Sequence, residues 1–242
     1  MQPASDLTAR LLRDNWLRVI EQVAEACLAA GRQPHSVRIV GVSKYVGPEL
    51  AWQLAQAGCG LFGENRPQLL WDKVAYFAAQ PKQAIPTQWH LIGHLQRNKI
   101  KRTLPMISLL HSLDSLRLAE AISQEATQLD RVLPVLLEVN VTGDASKTGM
   151  AISELEELLG NFEHLPGIKV CGLMAMSSLA ADALTAQREF DQVRQLRDQL
   201  QTAYGQGLEL SELSMGMSGD FPAAIAAGAT LVRIGSSLWQ GL

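Results

Sequence analysis

Short apolar runs alternate with amphipathic stretches along almost the whole chain. The first run, VRIVGVS at 37–43, is compact and rich in β-branched residues, which is typical of a strand buried on both faces. Seven similar runs predict further strands at 59–63, 88–93, 106–112, 132–141, 168–174, 210 onward and 230–235. Helical spacing of apolar residues predicts helices between and after them at 48–57, 66–79, 94–103, 114–128, 151–163, 182–203 and 221–227.

The N-terminal segment predicts one more helix. Leu12, Trp16, Val19 and Val23 recur at near-helical spacing, and Gly31 follows where a C-terminal cap would lie. Strands that alternate with helices imply parallel pairing, and eight such units suit a (β/α)8 barrel of the TIM type, usually about 250 residues long. We therefore expect an α/β fold with a single domain over 1–242, in which 1–31 form an extra helix outside the barrel. A doubly wound open sheet uses the same local patterns and is the alternative.

Composition and charge exclude several classes of protein. Of 242 residues, 47% are hydrophobic and the formal net charge is −3, so neither disorder nor a dedicated, strongly basic nucleic-acid-binding domain is indicated. No apolar run approaches the roughly 20 residues of a membrane span, and the polar N-terminus does not resemble a signal peptide. Cys27, Cys59 and Cys171 are too scattered for a disulfide framework. We expect a cytoplasmic protein with reduced thiols and no membrane partner.

Lys44 is the first candidate for chemistry. It directly follows the first predicted strand, and the active face of such barrels lies at the C-terminal ends of the strands. A free lysine amine at a barrel mouth can form a Schiff base with an aldehyde. A rim lysine paired with a carboxylate is the more ordinary explanation, and position alone favours it.

Glycine- and serine-rich turns follow the seventh and eighth predicted strands, where such barrels frequently bind phosphate. Their unobstructed N–H groups and hydroxyls would form an anion site, although the glycines could equally serve tight turns. Arg233 precedes the second turn, where its guanidinium could donate to a pyridine nitrogen. A buried ion pair is the alternative for this arginine. Together with Lys44, the pattern suggests pyridoxal 5′-phosphate (PLP).

Two other patterns indicate less. His90 and His94 are four residues apart, but HLIGH lacks the glutamate of a zinc-protease motif and contains a glycine, so we expect no metal site. The basic run at 97–102 would suit an anion or nucleic acid, but a solvated helix face is favoured.

Nine segments, in order along the chain, resemble the YggS/PROSC family of PLP homeostasis proteins. They cover most of the chain from about residue 37 to the C-terminus, and in combination they are far more specific than any single motif. The segments are VGVSK (40–44), FGEN (62–65), WHLIGHLQRNK (89–99), HSLDS (111–115), LEVNV (137–141), SKTG (146–149), GLMAM (172–176), LSMGMSGD (213–220) and VRIGSSLWQG (232–241).

The resemblance implies a fold-type III PLP barrel, similar to the N-terminal domain of alanine racemase, in a monomer without established catalytic turnover. Lys44 corresponds to the Schiff-base lysine of the family, and Arg233 to the arginine that faces the pyridine nitrogen. The resemblance assigns phosphate binding to Ser218, Gly235 and Ser236, with Ser214 and Met215 adjoining. Asn65 is expected to line the pocket, and His90 and Asn140 are further candidates.

The expected function is therefore to hold PLP on Lys44 for intracellular vitamin B6 and amino-acid homeostasis, and to pass it to PLP-accepting enzymes. One alternative is a PLP-dependent enzyme such as an amino-acid racemase, for which His90 and His111 are the plausible second bases. Racemase activity is expected to be negligible, because the second domain of two-domain racemases is missing. The other alternative is a barrel that binds a sugar or nucleotide phosphate without using Lys44.

Overall fold

Eight parallel strands close into one barrel in chain order, with the last strand paired to the first. The computed structural model describes residues 3–80, 86–141, 148–178 and 181–242. The strands are β1 (Arg38–Val42), β2 (Leu61–Glu64), β3 (Gln88–Leu91), β4 (Leu109–Leu113), β5 (Leu133–Glu138), β6 (Ile168–Met174), β7 (Glu212–Met217) and β8 (Leu231–Ile234). This confirms the predicted (β/α)8 barrel and rejects the open sheet.

Helices cover the outside of the barrel. Proline occupies the first turn of α2, α3 and α8, where its missing N–H costs nothing. The helices are α1 (Pro3–Ala29), α2 (Pro48–Gln56), α3 (Pro67–Ala78), α4 (Ile100–Thr103), α5 (Leu116–Gln128), α6 (Ile152–Gly160), α7 (Ala183–Tyr204) and α8 (Phe221–Ala226).

One predicted helix is wrong in extent. The segment predicted as a helix at 94–103 contains a 3₁₀ turn at Arg97–Lys99 and the single-turn α4, followed by a second 3₁₀ turn at Leu104–Met106. The difference lies at the start of the segment: Gln96 has extended backbone geometry, and α4 begins only at Ile100, although it ends at Thr103 as predicted.

Side-chain alternation along the strands produces two separate apolar layers. The larger cluster lies between the sheet and the helices and includes Phe62, Trp89 and Met215. A smaller cluster joins residues from β1, β4, β5, β6 and β8, which places it inside the barrel: Val40, Leu109, Leu136, Met174 and Leu231. Because successive residues point to opposite faces, this inner cluster fixes which later strand residues face the barrel mouth.

The N-terminal helix α1 packs beside α2 and α8 and contacts the C-terminal turn. Its buried Asn15 donates hydrogen bonds to the carbonyls of Leu238 (3.1 Å) and Gln240 (3.0 Å). These contacts anchor the segment that follows β8. Among the described residues, no helix combines the length and apolar character required to cross a bilayer.

Candidate functional site

Lys44 lies two residues beyond the end of β1 and is half-buried. Its ammonium lies 4.8 Å from the centroid of the Tyr45 ring. The end of β1 is fixed against the C-terminal turn, because the Trp239 indole N–H donates to the Val42 carbonyl at 2.8 Å. Gly235 lies beside the same strand end: a Cβ added there would be 3.5 Å from the Val42 Cβ. The first strand and the turn after β8 therefore meet at this point.

Directly before Lys44, Ser43 belongs to a buried polar group that we call the Glu64 cluster, formed by Ser43, Glu64 and Lys73. The Ser43 hydroxyl donates to Glu64 Oε2 at 3.2 Å, and Lys73 Nζ forms an ion pair with the same oxygen. Lys73 also donates to the Ser43 carbonyl at 2.8 Å. Glu64 and Lys73 are 0% and 1% exposed, so this pair is shielded from water.

Asn65 follows Glu64 at the end of β2. Its main-chain N–H donates to Glu64 Oε1 at 2.8 Å, and its side-chain Oδ1 is buried without a hydrogen-bond partner among the described residues. Gly93 permits this position, because a Cβ there would lie 2.3 Å from the Asn65 carbonyl oxygen. Asn65 also lines a cavity of about 440 Å³ with Arg66, Pro67, Gln68, Leu69, His94, Gln96 and Lys99.

Arg233 lies inside the barrel on β8 and is held by main-chain and side-chain oxygens. Its Nη1 donates to the carbonyl and the hydroxyl of Ser214, both at 2.7 Å, and its Nη2 donates to the Ala175 carbonyl at 2.9 Å. Burial lowers the pKa of Arg233 to about 10, although Asp220 and Glu138 oppose this shift. The guanidinium therefore stays protonated at neutral pH. Its Nε–H has no acceptor among the described residues.

Two buried histidines extend this network across the barrel. His111 Nδ1 lies 2.9 Å from the Ser214 hydroxyl, and its Nε2 lies 2.8 Å from His90 Nδ1. A guanidinium only donates, so the Ser214 hydroxyl accepts from Arg233. The tautomer in which this hydroxyl donates to His111 Nδ1 and His111 Nε2–H donates to His90 Nδ1 satisfies all three groups. Burial lowers the pKa of His90 to about 3. Burial also holds the pKa of His111 well below 6.5, with smaller contributions from His90 and Arg233. Both imidazoles are neutral at physiological pH.

The turns after β7 and β8 contact each other. The Gly235 N–H donates to the Ser218 hydroxyl at 3.2 Å, while Ser236 is exposed. The main-chain N–H groups of Gly219 and Ser236 make no hydrogen bond within the described part of the chain. Met215 differs from the other predicted residues, because its side chain is buried in the cluster between barrel and helices. Any contact it makes in the barrel mouth is through its main chain.

A second cavity of about 480 Å³ opens at the ends of β5, β6 and β7. Glu138 and Asn140 line it, together with Ser177, Met217 and Asp220. Burial raises the pKa of Glu138, while a hydrogen bond from the Thr148 hydroxyl opposes the shift. The neighbouring SKTG segment, quoted above for the resemblance, lies partly outside the described residues.

Sequence reasoning noted Glu64 and Glu138 only as polar residues at strand ends, without a role, and it did not identify Lys73. Lys73 could have been found, because it interrupts the apolar face of α3 between Leu70 and Phe77 and must have a buried partner. Glu138 shares the inward parity of Leu136. His111 was considered only as a base, whereas the structure places it between Ser214 and His90.

The donor set of this barrel mouth fits PLP. It offers a half-buried lysine amine, a buried guanidinium with an unused N–H, and a hydroxyl and main-chain N–H groups at two adjoining turns. The Asn65 Oδ1 adds a buried acceptor that receives no hydrogen bond from the described residues. Among the described residues, no group of three or more His, Cys, Asp or Glu side chains is arranged to hold a metal ion.

Comparisons with known proteins agree with this geometry. Residues 29–242 match the family model described as "Alanine racemase, N-terminal domain". A relative from Aquifex aeolicus, named pyridoxal phosphate homeostasis protein, is 39% identical over 222 residues, which are 92% of this chain and 94% of that protein. A relative of the same name from Vibrio cholerae is 35% identical over 95% of this chain and 96% of that one.

A solved structure supports the same assignment. PipY of Synechococcus elongatus, determined with PLP bound, superposes with a TM-score of 0.79 at 34% identity and covers 89% of this chain and 99% of that chain. The sequence resemblance is confirmed by these matches. This chain therefore belongs to the alanine racemase N-terminal domain family and, within it, to the pyridoxal phosphate homeostasis proteins.

Proposed function

We propose that this protein binds PLP as a Schiff base on Lys44 and holds it for intracellular PLP homeostasis, as a cytoplasmic monomer that supplies PLP-accepting enzymes. The observation that carries this proposal is the position of Arg233. It is buried and fixed by Ser214 and Ala175, with a free Nε–H, at the end of the barrel where Lys44, Ser218 and Gly235 also lie.

When bound, PLP supplies an aldehyde that condenses with a lysine amine and releases water. Lys44 provides that amine. The Ser218 hydroxyl and the unused main-chain N–H groups of Gly219 and Ser236 would donate hydrogen bonds to the phosphate, and Gly235 would hold the Ser218 hydroxyl in place. Arg233 would donate to the ring nitrogen and keep its own proton, so the ring would stay unprotonated and would withdraw electrons less strongly than a pyridinium stabilised by an aspartate. This chemistry suits holding the group more than turning over an amino acid.

The low pKa values of the two histidines also support a non-catalytic role. A general base is most effective when its pKa lies near the working pH. The pKa of His90 is lowered to about 3, and that of His111 is also well below its ordinary value. Both rings are also engaged in the hydrogen-bond chain to Ser214. Neither is suited to reprotonate a substrate, as a racemase requires.

The test is spectroscopic. Purified protein mixed with PLP should show a new absorption band, and borohydride should trap PLP on the peptide that contains Lys44. Lys44→Ala should abolish the trapped product and retain weaker, reversible binding. Lys99→Ala, at a nearby rim lysine, is the control and should leave trapping unchanged. Trapping at a different lysine, or none in the wild type, would overturn the proposal.

A second measurement addresses the enzyme alternative. The PLP-loaded protein is incubated with L-alanine, and D-alanine is followed over time. We expect no turnover above free PLP. Steady production of D-alanine that is lost in Lys44→Ala would show that the protein is a racemase.

A further inference from the structure

We infer that Glu64 and Lys73 are positioning residues for the PLP site, because the Glu64 cluster fixes the two chain segments that carry Lys44 and Asn65. This inference rests on the proposed function. It concerns residues that do not themselves line the barrel mouth. They act from the opposite side of the sheet, where β1 and β2 meet α3.

The geometry of the cluster explains why it would act on both segments at once. Glu64 Oε2 accepts from the Ser43 hydroxyl, and Lys73 holds the Ser43 carbonyl at 2.8 Å. Glu64 Oε1 accepts the Asn65 N–H at 2.8 Å. One carboxylate therefore joins the main chain of Asn65 to the Ser43 hydroxyl and, through Lys73, to the carbonyl before Lys44. Of the two residues held in this way, Ser43 directly precedes Lys44, and Asn65 is itself part of the proposed site.

Alternation along the strand separates this support from the site. Val40 belongs to the inner cluster, so Ser43 has the parity of the outer, helix-facing side. Lys73 reaches Ser43 from the buried face of α3, which also contains Leu70 and Phe77. The cluster can thus hold the main chain at the end of β1 without occupying the barrel mouth.

The buried ion pair of Glu64 and Lys73 is better suited to holding Lys44 in position than to stabilising the fold. A buried ion pair is seldom the most stabilising use of two core positions, since apolar residues of similar volume often do as well. Small displacements of a reacting group, in contrast, reduce rates strongly. An ion pair buried directly behind Lys44 is therefore explained better by positioning than by stability.

The experiment compares two variants of the whole chain. Glu64→Met/Lys73→Met removes both charges together, which leaves no unpaired buried ion. Leu70→Ala removes apolar contacts from the same face of α3, at a residue that is 0% exposed, and leaves the cluster intact. Circular dichroism and urea titration first establish that each is folded. Stopped-flow absorbance then measures the rate of PLP capture, and borohydride mapping gives the fraction on Lys44.

We expect the double variant to capture PLP about ten- to a hundred-fold more slowly than wild type, with an altered visible circular dichroism band of the bound group. Leu70→Ala should keep the wild-type rate and band despite its lower stability. Equal rates in the double variant and wild type, or equal losses in the double variant and Leu70→Ala, would overturn the inference.

Hydrogen exchange on the PLP-free protein provides a readout independent of capture. The Asn65 amide should exchange about tenfold or more faster in the double variant, because its acceptor is removed. Glu64→Gln/Lys73→Met retains one side-chain carbonyl and should restore much of that protection; this variant also serves if the first does not fold. Unchanged protection in both would contradict the inference. If wild type fails to trap PLP on Lys44, the proposed function fails, and exchange at Asn65 still decides whether the cluster fixes the main chain.

Discussion

Lys73 Nζ donates a hydrogen bond of 2.8 Å to the main-chain carbonyl of Ser43, directly before Lys44. Its ion-pair partner Glu64 is fully buried, so neither charge has access to water. Lys73→Met should therefore destabilise the protein by about 3–5 kcal/mol, because it leaves an uncompensated carboxylate in the core. Urea denaturation at pH 7 measures this loss.

The matched comparison is the double variant Glu64→Met/Lys73→Met. The free energy of unfolding of the double variant should be closer to the wild-type value than that of Lys73→Met is, because the two buried charges are removed together. A double variant that is at least as unstable as the sum of the two single variants would show that the two residues are not coupled.

A second prediction concerns the fixed orientation of Arg233. Arg233→Lys keeps a positive charge, but an ammonium is a point donor and cannot reproduce the planar fork that reaches Ser214 and Ala175. PLP should still be trapped on Lys44, whereas the absorption maximum of bound PLP shifts and its dissociation accelerates. Absorbance and dialysis measure the two effects. An unchanged spectrum would mean that Arg233 does not face the ring.

The neutral histidines predict how stability depends on pH. In the unfolded chain a histidine titrates near 6.5, whereas His90 in the fold has its pKa lowered to about 3 and His111 also stays neutral. The unfolded state therefore binds more protons as the pH falls below 6.5, so this stabilising contribution is full above that pH and is lost on acidification. From pH 7 to 5, His90 alone should remove about 2 kcal/mol, and His111 acts in the same direction.

Urea denaturation at pH 7, 6 and 5 tests this slope. His90→Gln should make the loss of stability on acidification clearly smaller, because one buried group no longer titrates on unfolding. His35→Gln, at an exposed position, should leave the slope as in wild type. If wild type and His90→Gln lose stability equally on acidification, His90 is not the buried neutral group inferred here.

The barrel was predictable from the sequence because each of its eight strands has a local pattern. Buried parallel strands require short apolar runs, and their crossovers require amphipathic helices, so fold class follows from spacing alone. The segment at 94–103 was predicted wrongly at its start, because apolar spacing alone does not distinguish an α-helix from the extended Gln96 and the 3₁₀ turn at Arg97–Lys99.

The polar network was not predictable in the same way. His111 and Ser214 are 103 residues apart, and only closure of the barrel brings β4 and β7 face to face across its interior. The alternation of side chains along β7 could have predicted one more feature. If Ser214 faces the barrel interior, its neighbour Met215 must face the helices, as the structure shows. Spacing identified candidate residues, whereas their hydrogen-bond partners depend on the three-dimensional register.

The last prediction compares how two residues of β7 and its turn, Met215 and Ser218, contribute to PLP affinity. Ser218 accepts from Gly235 where the proposed phosphate site lies, so Ser218→Ala should weaken PLP binding about tenfold, the loss of roughly one hydrogen bond. Met215→Leu preserves volume in the outer apolar cluster and should cost less than about 1.5 kcal/mol of stability without changing affinity. Equilibrium titration with PLP measures both. If Met215→Leu weakens binding as much as Ser218→Ala does, the phosphate is not held by the turn after β7 in the way proposed.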